Sequence, residues 1–389
     1  MLLIDERSAT RPTRLGITAR TLGPVGLAVT VYLASRVLLL AIAVVAGRVE
    51  HISLIAELGR WDGTWYGQIA SLGYPRHIPQ GPNPLGFFPL YPLTMWLVVH
   101  LPGPPNSVII AGVLISCVGG LVATLLVGRL ARGWWGEAAA KRAVILFCLF
   151  PGSIVFLMAY GEGLLIPLAA GCLLALQARR WVLAGILAGV ATAVQPDAVA
   201  LIVACAVAAF LELRRDRTAV RSLLAPILSV AGLGTFAVFL WIWTGTPLAT
   251  LHAQENGWGE GIDPLALVHQ GRVLAWEIEH LNLHHVNMNV GPVAAVVGAV
   301  ILLAGVVLLL RRPGRVPAPA LAYTLAIGVL SFLSVNVPPN ARILFTAFPA
   351  VLVFARYSGR RSWPWLIGVT CVLLVVMSAL TYGGRSLTP

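Results

Sequence analysis

The sequence predicts an all-helical protein that crosses a membrane about eleven times, and three observations support this fold class. The 389 residues are 58% apolar and 11% charged, whereas a soluble globular domain carries about a quarter charged residues. The apolar residues form runs of about 20, the length of a helix that spans the hydrocarbon core of a bilayer. Basic clusters separate these runs. Because backbone groups in lipid must pair within their own segment, the runs are predicted to be helices.

Eleven apolar segments are predicted as spans, within a single integral membrane domain (residues 1–389) whose N-terminus is cytoplasmic. They lie near residues 22–47, 107–128, 143–159, 162–178, 181–195, 197–213, 222–243, 290–310, 319–335, 342–356 and 363–382. The first is expected to be retained, because no small-residue cleavage site clearly follows it. Phe87 to Leu101 is also apolar, but Pro89 and Pro92 would deprive a spanning helix of backbone partners. This segment is therefore expected to be interfacial or re-entrant.

The distribution of charge orients the predicted bundle. Six clusters hold 20 of the 27 Lys and Arg residues: 7–20, 129–142, 179–180, 214–221, 311–315 and 356–361. The positive-inside rule places them in the cytoplasm, which leaves ten acidic residues on the other side. This asymmetry explains the net charge of +12 without a nucleic-acid partner. The Arg-rich composition is typical of a bacterial protein, so the bacterial plasma membrane is the expected location.

Two long loops, residues 48–106 and 244–289, fall on the predicted extracytoplasmic side and contain all eight histidines. His280 and His284 have the spacing of a metal pair on a helix, but no metal site is predicted. The five cysteines lie in apolar runs and form no Cys-x-x-Cys pair, which argues against disulfides and thiolate sites. No Gly-rich phosphate loop occurs, and no cofactor is expected.

The most informative segment, residues 60–75 of the first loop, predicts a short amphipathic helix that ends at Gly73 and Pro75. Asp62, Tyr66 and Ile69 share one face, with Trp61 and Trp65 beside them. Trp and Tyr favour the headgroup level, so the helix is expected to lie flat at the outer interface. It either anchors the loop, with Asp62 favouring the N-terminal end of the helix, or presents Asp62 as a general base.

These residues also carry a resemblance to a known family. Arg60-Trp61-Asp62, the following Ile69-Ala70 and Gly73-Tyr74, and Phe87-Phe88-Pro89-Leu90-Tyr91-Pro92 closely resemble the signatures of the PIG-V mannosyltransferase family. Weaker similarities follow in the family's order, at residues 150–153, 160–162, 195–197, 254–259, 342–345 and 348–349. The eukaryotic members tend to have Ser and His after Trp-Asp, where this chain has Gly63, Thr64 and Trp65, and this difference leaves the acceptor open.

The resemblance implies a GT-C-like fold and a glycosyltransferase that works at the extracytoplasmic face. Such an enzyme would move a mannosyl residue from a polyprenyl-phosphate donor to a glycolipid or glycan acceptor, with inversion and with Asp62 as general base. Its partners would be that donor, the acceptor and membrane lipids, and it would use no nucleotide sugar.

A leaving phosphate needs cationic or N–H partners, and the candidates are Arg342, Arg60 and Arg76. Arg342 is favoured because it begins a span, where the helix dipole also attracts an anion, although an arginine can simply snorkel there. Glu162 and Asp197 could bind sugar hydroxyls, pair with Arg342 or only solvate span ends. The predicted substrate-binding residues are Trp61, Trp65, Tyr66, Tyr91, Glu162, Asp197, Gln254 and Trp258.

Two alternatives remain open at this point. A transporter or flippase of lipid-linked sugars would also need spans and a polar cavity, but the sequence shows no repeat of broken helices in its two halves. The same fold could also transfer another sugar, such as arabinose or glucose, because residue spacing does not reveal the pocket contacts that select a sugar.

Overall fold

The computed structural model describes residues 23–102, 107–279 and 290–383, and the regular elements within these ranges are helices. The α-helices are α1 Pro24–Val49, α2 Leu54–Leu58, α3 Asp62–Leu72, α4 Leu90–Val99, α5 Val108–Trp135, α6 Glu137–Leu149, α7 Glu162–Gln177, α8 Trp181–Ala191, α9 Val199–Arg215, α10 Leu224–Ser229, α11 Ala231–Thr244, α12 Ala249–Trp258, α13 Ala266–Glu279, α14 Val290–Leu310, α15 Ala318–Leu333, α16 Ala341–Thr346, α17 Phe348–Tyr357 and α18 Ser362–Gly383. Four 3₁₀ turns cover Pro84–Gly86, Pro151–Leu157, Pro196–Ala198 and Val220–Leu223. The predicted all-α polytopic fold is confirmed.

Six segments of the described chain are long and apolar enough to cross a membrane. They are Pro24–Val49, Val108–Trp135, Pro196–Arg215, Val220–Thr244, Val290–Leu310 and Ser362–Gly383. The other five predicted spans fall on shorter apolar helices (α7, α8, α15 and α17) and on α6 with the turn that follows it. Helix α4 has ten residues, about 15 Å of helix, which fits the expectation that Phe87 to Leu101 does not span.

Prolines lie at the breaks in two of the predicted spans. The segment expected at 143–159 bends by 68° between α6 and the turn Pro151–Leu157. The segment expected at 342–356 divides into α16 and α17 at Ala347, two residues before Pro349. Proline lacks the N–H that would continue the helical ladder and its ring crowds the preceding turn. Hydropathy does not register this interruption, so the sequence predicted two continuous helices.

The exposed and the buried residues of the bundle indicate whether lipid or water surrounds it. Large apolar side chains are exposed on its outer helices, for example Val37 on α1, Ile242 on α11 and Val372 on α18. Apolar surface of this extent fits lipid and not water. Inside, Gly119 of α5 and Gly163 of α7 touch so closely that a Cβ at Gly119 would overlap the Gly163 carbonyl. Small residues permit this approach, as in other membrane helix pairs.

The two predicted outer loops contain short helices of their own. The first holds α2, α3 and α4, and the second holds α12 and α13. The predicted cytoplasmic cluster Arg7 to Arg20 and the pair His280 and His284 lie outside the described residues.

Candidate active site

Asp62 begins α3, and the chain holds it in a defined orientation there. The preceding residue, Trp61, has φ 58°, an uncommon value for a bulky residue, and strained backbone of this kind concentrates at functional sites. The Asp62 N–H donates to the Tyr160 hydroxyl at 3.4 Å. The Asp62 side chain keeps 26% of its surface exposed, so its carboxylate can be reached from outside the protein.

Arg342 lies opposite Asp62, in the first turn of α16. Asn340 caps this helix by accepting the Ile343 N–H at 3.0 Å. Nη1 of Arg342 lies 2.5 Å from Oδ2 of Asp62, and its Nε lies 3.5 Å from Oε1 of Glu162, the first residue of α7. One guanidinium is therefore shared by two carboxylates that are 100 residues apart in the chain.

The break after α6 positions Arg342. The turn Pro151–Leu157 packs against α16, and Gly152 is the point of closest approach. A Cβ at Gly152 would overlap the Ala341 carbonyl oxygen and lie 2.5 Å from Cβ of Phe345. Only glycine lets the two segments come this close, because any side chain would push α16 and its arginine away.

Buried tyrosines form the inner wall of the site. Tyr66 lies within α3 and is 1% exposed, and Tyr160 lies just before α7 with the Arg342 Cζ 5.7 Å from its ring centroid. Burial raises the pKa of both phenols well above its ordinary value, and the nearby Asp62 charge adds to this effect. Both hydroxyls therefore keep their protons and remain hydrogen-bond donors.

Four buried polar atoms of the site residues have no hydrogen-bond partner among the described residues. They are Nε1 of Trp61, Oε2 of Glu162, Oε1 of Gln195 and Nε of Arg342. Asp197 follows in the next turn, half-buried, and its carboxylate is near enough for its charge to interact with those of Arg342 and Asp62. Buried polar groups normally have partners, so unpaired ones around an accessible carboxylate mark this as a place where polar ligand groups can bind.

An aromatic cluster flanks α3 on the outer side. The rings of Trp65 and Phe87 stack with centroids 6.0 Å apart, and Trp258 of α12 meets Trp65 edge-on at 5.1 Å. Gln254 donates from Nε2 to the Gly86 carbonyl at 2.9 Å, which fixes α12 to the first loop. The structure thus unites residues that the sequence placed in two separate outer loops.

A second set of contacts, which the sequence did not predict, holds Trp258 in place. Glu260 accepts from the Ser334 hydroxyl at 2.8 Å and from the Val335 N–H at 3.2 Å. Asn336 donates from Nδ2 to the Trp258 carbonyl at 2.7 Å. The chain after α15 therefore supports the second loop.

Three of the residues that the sequence predicted for the site have side-chain partners elsewhere in the fold. Arg60 pairs with the buried Glu57 (Nη1 to Oε2, 3.0 Å) and donates to the Tyr382 carbonyl at 2.7 Å. The Arg76 Cζ lies 4.3 Å from the centroid of the Trp243 ring. Tyr91 is fully buried, and its hydroxyl lies 2.8 Å from the Gly112 carbonyl. Arg60 and Arg76 thus have other partners, whereas the Tyr91 ring packs edge-on against Tyr66 with centroids 4.9 Å apart and so supports the wall of the site.

The described residues contain no group of three or more His, Cys, Asp or Glu side chains that could hold a metal ion. The five cysteines are free thiols, and three of them are buried in the core.

Comparison with known proteins identifies the fold. No family profile matches the chain, and no curated protein matches it. The structure is similar to that of ArnT from Cupriavidus metallidurans bound to undecaprenyl phosphate, with 16% identity over 86% of this chain and 62% of that one, and a TM-score of 0.52. An oligosaccharyltransferase from Archaeoglobus fulgidus, in complex with Zn and sulfate, follows at 14% identity, 84% and 48% coverage and a TM-score of 0.46. The chain spans less than two thirds of the length of ArnT, and at such identity the likeness shows a similar fold alone.

Proposed function

We propose that the chain is a polyprenyl-phosphate-dependent glycosyltransferase of the GT-C type, with Asp62 as its general base and Arg342 as the partner of the donor phosphate. The observation that carries this proposal is the contact between the accessible Asp62 carboxylate and Arg342. A base and a phosphate-binding cation side by side are the two groups that sugar transfer from a lipid phosphate requires. The binding of undecaprenyl phosphate by ArnT, a protein of the same fold, supports this donor class.

The proposed reaction exchanges one bond at the anomeric carbon for another. The acceptor hydroxyl gives its proton to Asp62, and its oxygen forms a new bond to the anomeric carbon as the bond to the donor phosphate oxygen breaks. Attack from the side opposite the phosphate inverts the configuration. The leaving lipid phosphate gains negative charge, which Arg342 stabilises. Donor binding would draw Arg342 toward the phosphate and thereby free the Asp62 carboxylate for the proton.

The sugar and acceptor are proposed from the resemblance to the PIG-V family and from the lining of the site. The resemblance favours mannose as the sugar and a glycolipid or glycan as the acceptor, at the extracytoplasmic face. Unpaired polar atoms of Glu162, Gln195 and Trp61 are suited to sugar hydroxyls. The cluster of Trp65, Phe87 and Trp258 offers an apolar surface at the edge of the site.

Transfer by the purified protein in liposomes tests the proposal. Polyprenyl-phosphate donors that carry labelled mannose, glucose or arabinose are supplied with candidate glycolipid acceptors. We expect transfer of mannose, and we expect Asp62→Asn to lower turnover by about 10²- to 10⁴-fold because the amide cannot take the proton. Asp263→Asn, a matched change in the second loop, should retain activity. Full turnover by Asp62→Asn would remove the assigned base.

The flippase alternative is tested with the same liposomes. Movement of the lipid-linked sugar across the bilayer without formation of a glycosidic bond would favour it over the enzyme. We expect bond formation, because an accessible carboxylate in contact with Arg342 is suited to proton transfer from an acceptor hydroxyl.

A further inference from the structure

A cavity of about 510 Å³, distinct from the candidate active site, lies between α6, α17 and the start of α18. We call it the arginine groove and define it by its lining residues Arg142, Arg356, Tyr357, Ser358, Arg360 and Trp363. Arg142 precedes the turn Pro151–Leu157 by nine residues along α6, and Arg356 lies near the end of α17, beyond the break at Ala347 that separates α17 from α16 and Arg342. The groove is therefore separate from the candidate active site and lies toward the other end of the bundle.

The arginine groove carries positive charge that no acidic side chain balances. Within the described residues, Arg142, Arg356 and Arg360 form no ion pair with a carboxylate, and Glu137, on the same helix as Arg142, pairs instead with Lys141 at 4.0 Å. Three uncompensated guanidinium groups around one cavity produce a local field that attracts an anion.

One arginine of the groove is held in place while two remain available. The Arg142 Nη1 donates to the Ser358 carbonyl, and its Cζ lies 5.9 Å from the centroid of the Trp363 ring. Arg356 and Arg360 make no side-chain hydrogen bond within the described part of the chain, and Arg360 is exposed on the connection to α18. Guanidinium groups in this state can donate in pairs to phosphate oxygens.

We propose that the arginine groove binds the phosphate of an anionic phospholipid headgroup. Two tryptophans support placing the groove at headgroup depth: Trp363 lines it, and Trp365, two residues further along α18, is 78% exposed. Tryptophan concentrates where lipid headgroups meet the acyl chains. Basic pockets between membrane helices are suited to anionic lipid headgroups, and the neighbouring apolar surface of α18 can accommodate the acyl chains.

Lipid binding by the purified full-length protein tests this proposal. Native mass spectrometry and thermal unfolding are recorded with phosphatidylglycerol, with phosphatidylcholine and with inorganic phosphate alone. We expect phosphatidylglycerol to be retained and to raise Tm, and the other two probes to have little effect. The double variant Arg356→Gln/Arg360→Gln should bind phosphatidylglycerol about tenfold more weakly, since each arginine near a lipid surface contributes to the affinity.

A matched control distinguishes specific binding in the arginine groove from general attraction between the basic protein and an anionic lipid. Arg214→Gln/Arg217→Gln removes two exposed arginines at the end of α9, away from the groove, and should bind like the wild type. Arg360→Gln alone is measured as well, because its exposed position makes it safe for folding. Equal lipid affinity in the groove variants and the control, equal binding of phosphatidylcholine, or a Tm response to inorganic phosphate and not to phosphatidylglycerol would each overturn the proposal.

Discussion

Arg342 holds two carboxylates together at the candidate active site, and this sharing determines what each group can do. Its side chain is 17% exposed and that of Glu162 is 1% exposed, so the contact between them lies away from water. An ion pair in such surroundings is screened less by solvent than one at the surface. Loss of one partner leaves the other buried and unpaired, at a cost of about 3–5 kcal/mol.

Replacement of Arg342 by lysine tests this shared role. Lysine keeps the positive charge but has one nitrogen, so it cannot meet Asp62 through one nitrogen and Glu162 through another. We expect Arg342→Lys to lower kcat about 10²-fold, the usual loss when one donor to a developing negative charge is removed. Turnover with saturating polyprenyl-phosphate sugar measures the effect.

The control for that measurement is Arg48→Lys, an equal change at an exposed arginine in the last turn of α1. Arg48→Lys should turn over like the wild type. If Arg342→Lys retained wild-type kcat, a point charge would suffice at this position, and the paired contact would have no part in transfer.

The sequence predicted single residues of the candidate site but not the side chains with which they pair. Asp62 stood out because an acid follows tryptophan at the start of a short helix, and the structure places it beside an arginine. Arg60, Arg76 and Arg342 were all predicted as phosphate ligands on the same side of the membrane, and Arg342 was favoured because it begins a span. Only tertiary structure shows that Glu57 and Trp243 occupy the first two.

Among the elements, the contact between the turn Pro151–Leu157 and α16 determines where Arg342 lies. The turn exists because Pro151 ends α6, and the contact is close because Gly152 has no side chain. A membrane helix broken in this way exposes backbone groups that must find partners inside the protein. Such a break is therefore expected only where it borders a cavity or a binding site.

A substitution at Gly152 tests this contact. The Cβ of Gly152→Ala would meet the Ala341 carbonyl and the Phe345 side chain, so α16 must shift. Such overpacking typically costs about 1–3 kcal/mol, and we expect a lower Tm. Turnover should also fall about tenfold or more, because a displacement of about 1 Å at a catalytic group is costly.

Gly234→Ala is the matched control, since a Cβ there has open space around it within 4 Å. In the middle of α11 this change should leave turnover unaltered and raise stability slightly. A Gly152→Ala protein with normal Tm and normal turnover would show that the contact does not position Arg342.

Helix placement from the sequence succeeded where hydropathy and length suffice, and failed where a proline interrupts an apolar run. All eleven predicted spans coincide with helical segments, yet those that contain Pro151 and Pro349 are broken. Of the Phe87 to Pro92 motif, Tyr91 was predicted to bind substrate. In the structure only Phe87 joins the aromatic cluster at the site, whereas Phe88 and Tyr91 are buried and Tyr91 fixes α4 to α5.

For the whole molecule, the two ends of the bundle differ in charge. Asp62, Glu162 and Asp197 gather at one end with Glu260 beside them, whereas Arg142, Arg356 and Arg360 surround the arginine groove toward the other end. The positive-inside rule follows arginine and lysine in short loops, so it assigns the arginine groove to the cytoplasm and Asp62 to the opposite face. A lipid-linked sugar exposed at that face would be the substrate available to the enzyme.

Cysteine labelling tests this orientation directly. In a background without the five native cysteines, Gln68→Cys places a thiol on the exposed side of α3, and Gly359→Cys places one at the exposed edge of the arginine groove. A membrane-impermeant maleimide added to intact cells should label position 68 and leave position 359 unlabelled until the membrane is opened. Lipid blocks the reagent because a charged group crosses hydrocarbon at high cost. The reverse pattern would place Asp62 in the cytoplasm, where the donor sugar would have to be supplied from the inner leaflet and the positive-inside assignment of the bundle would fail.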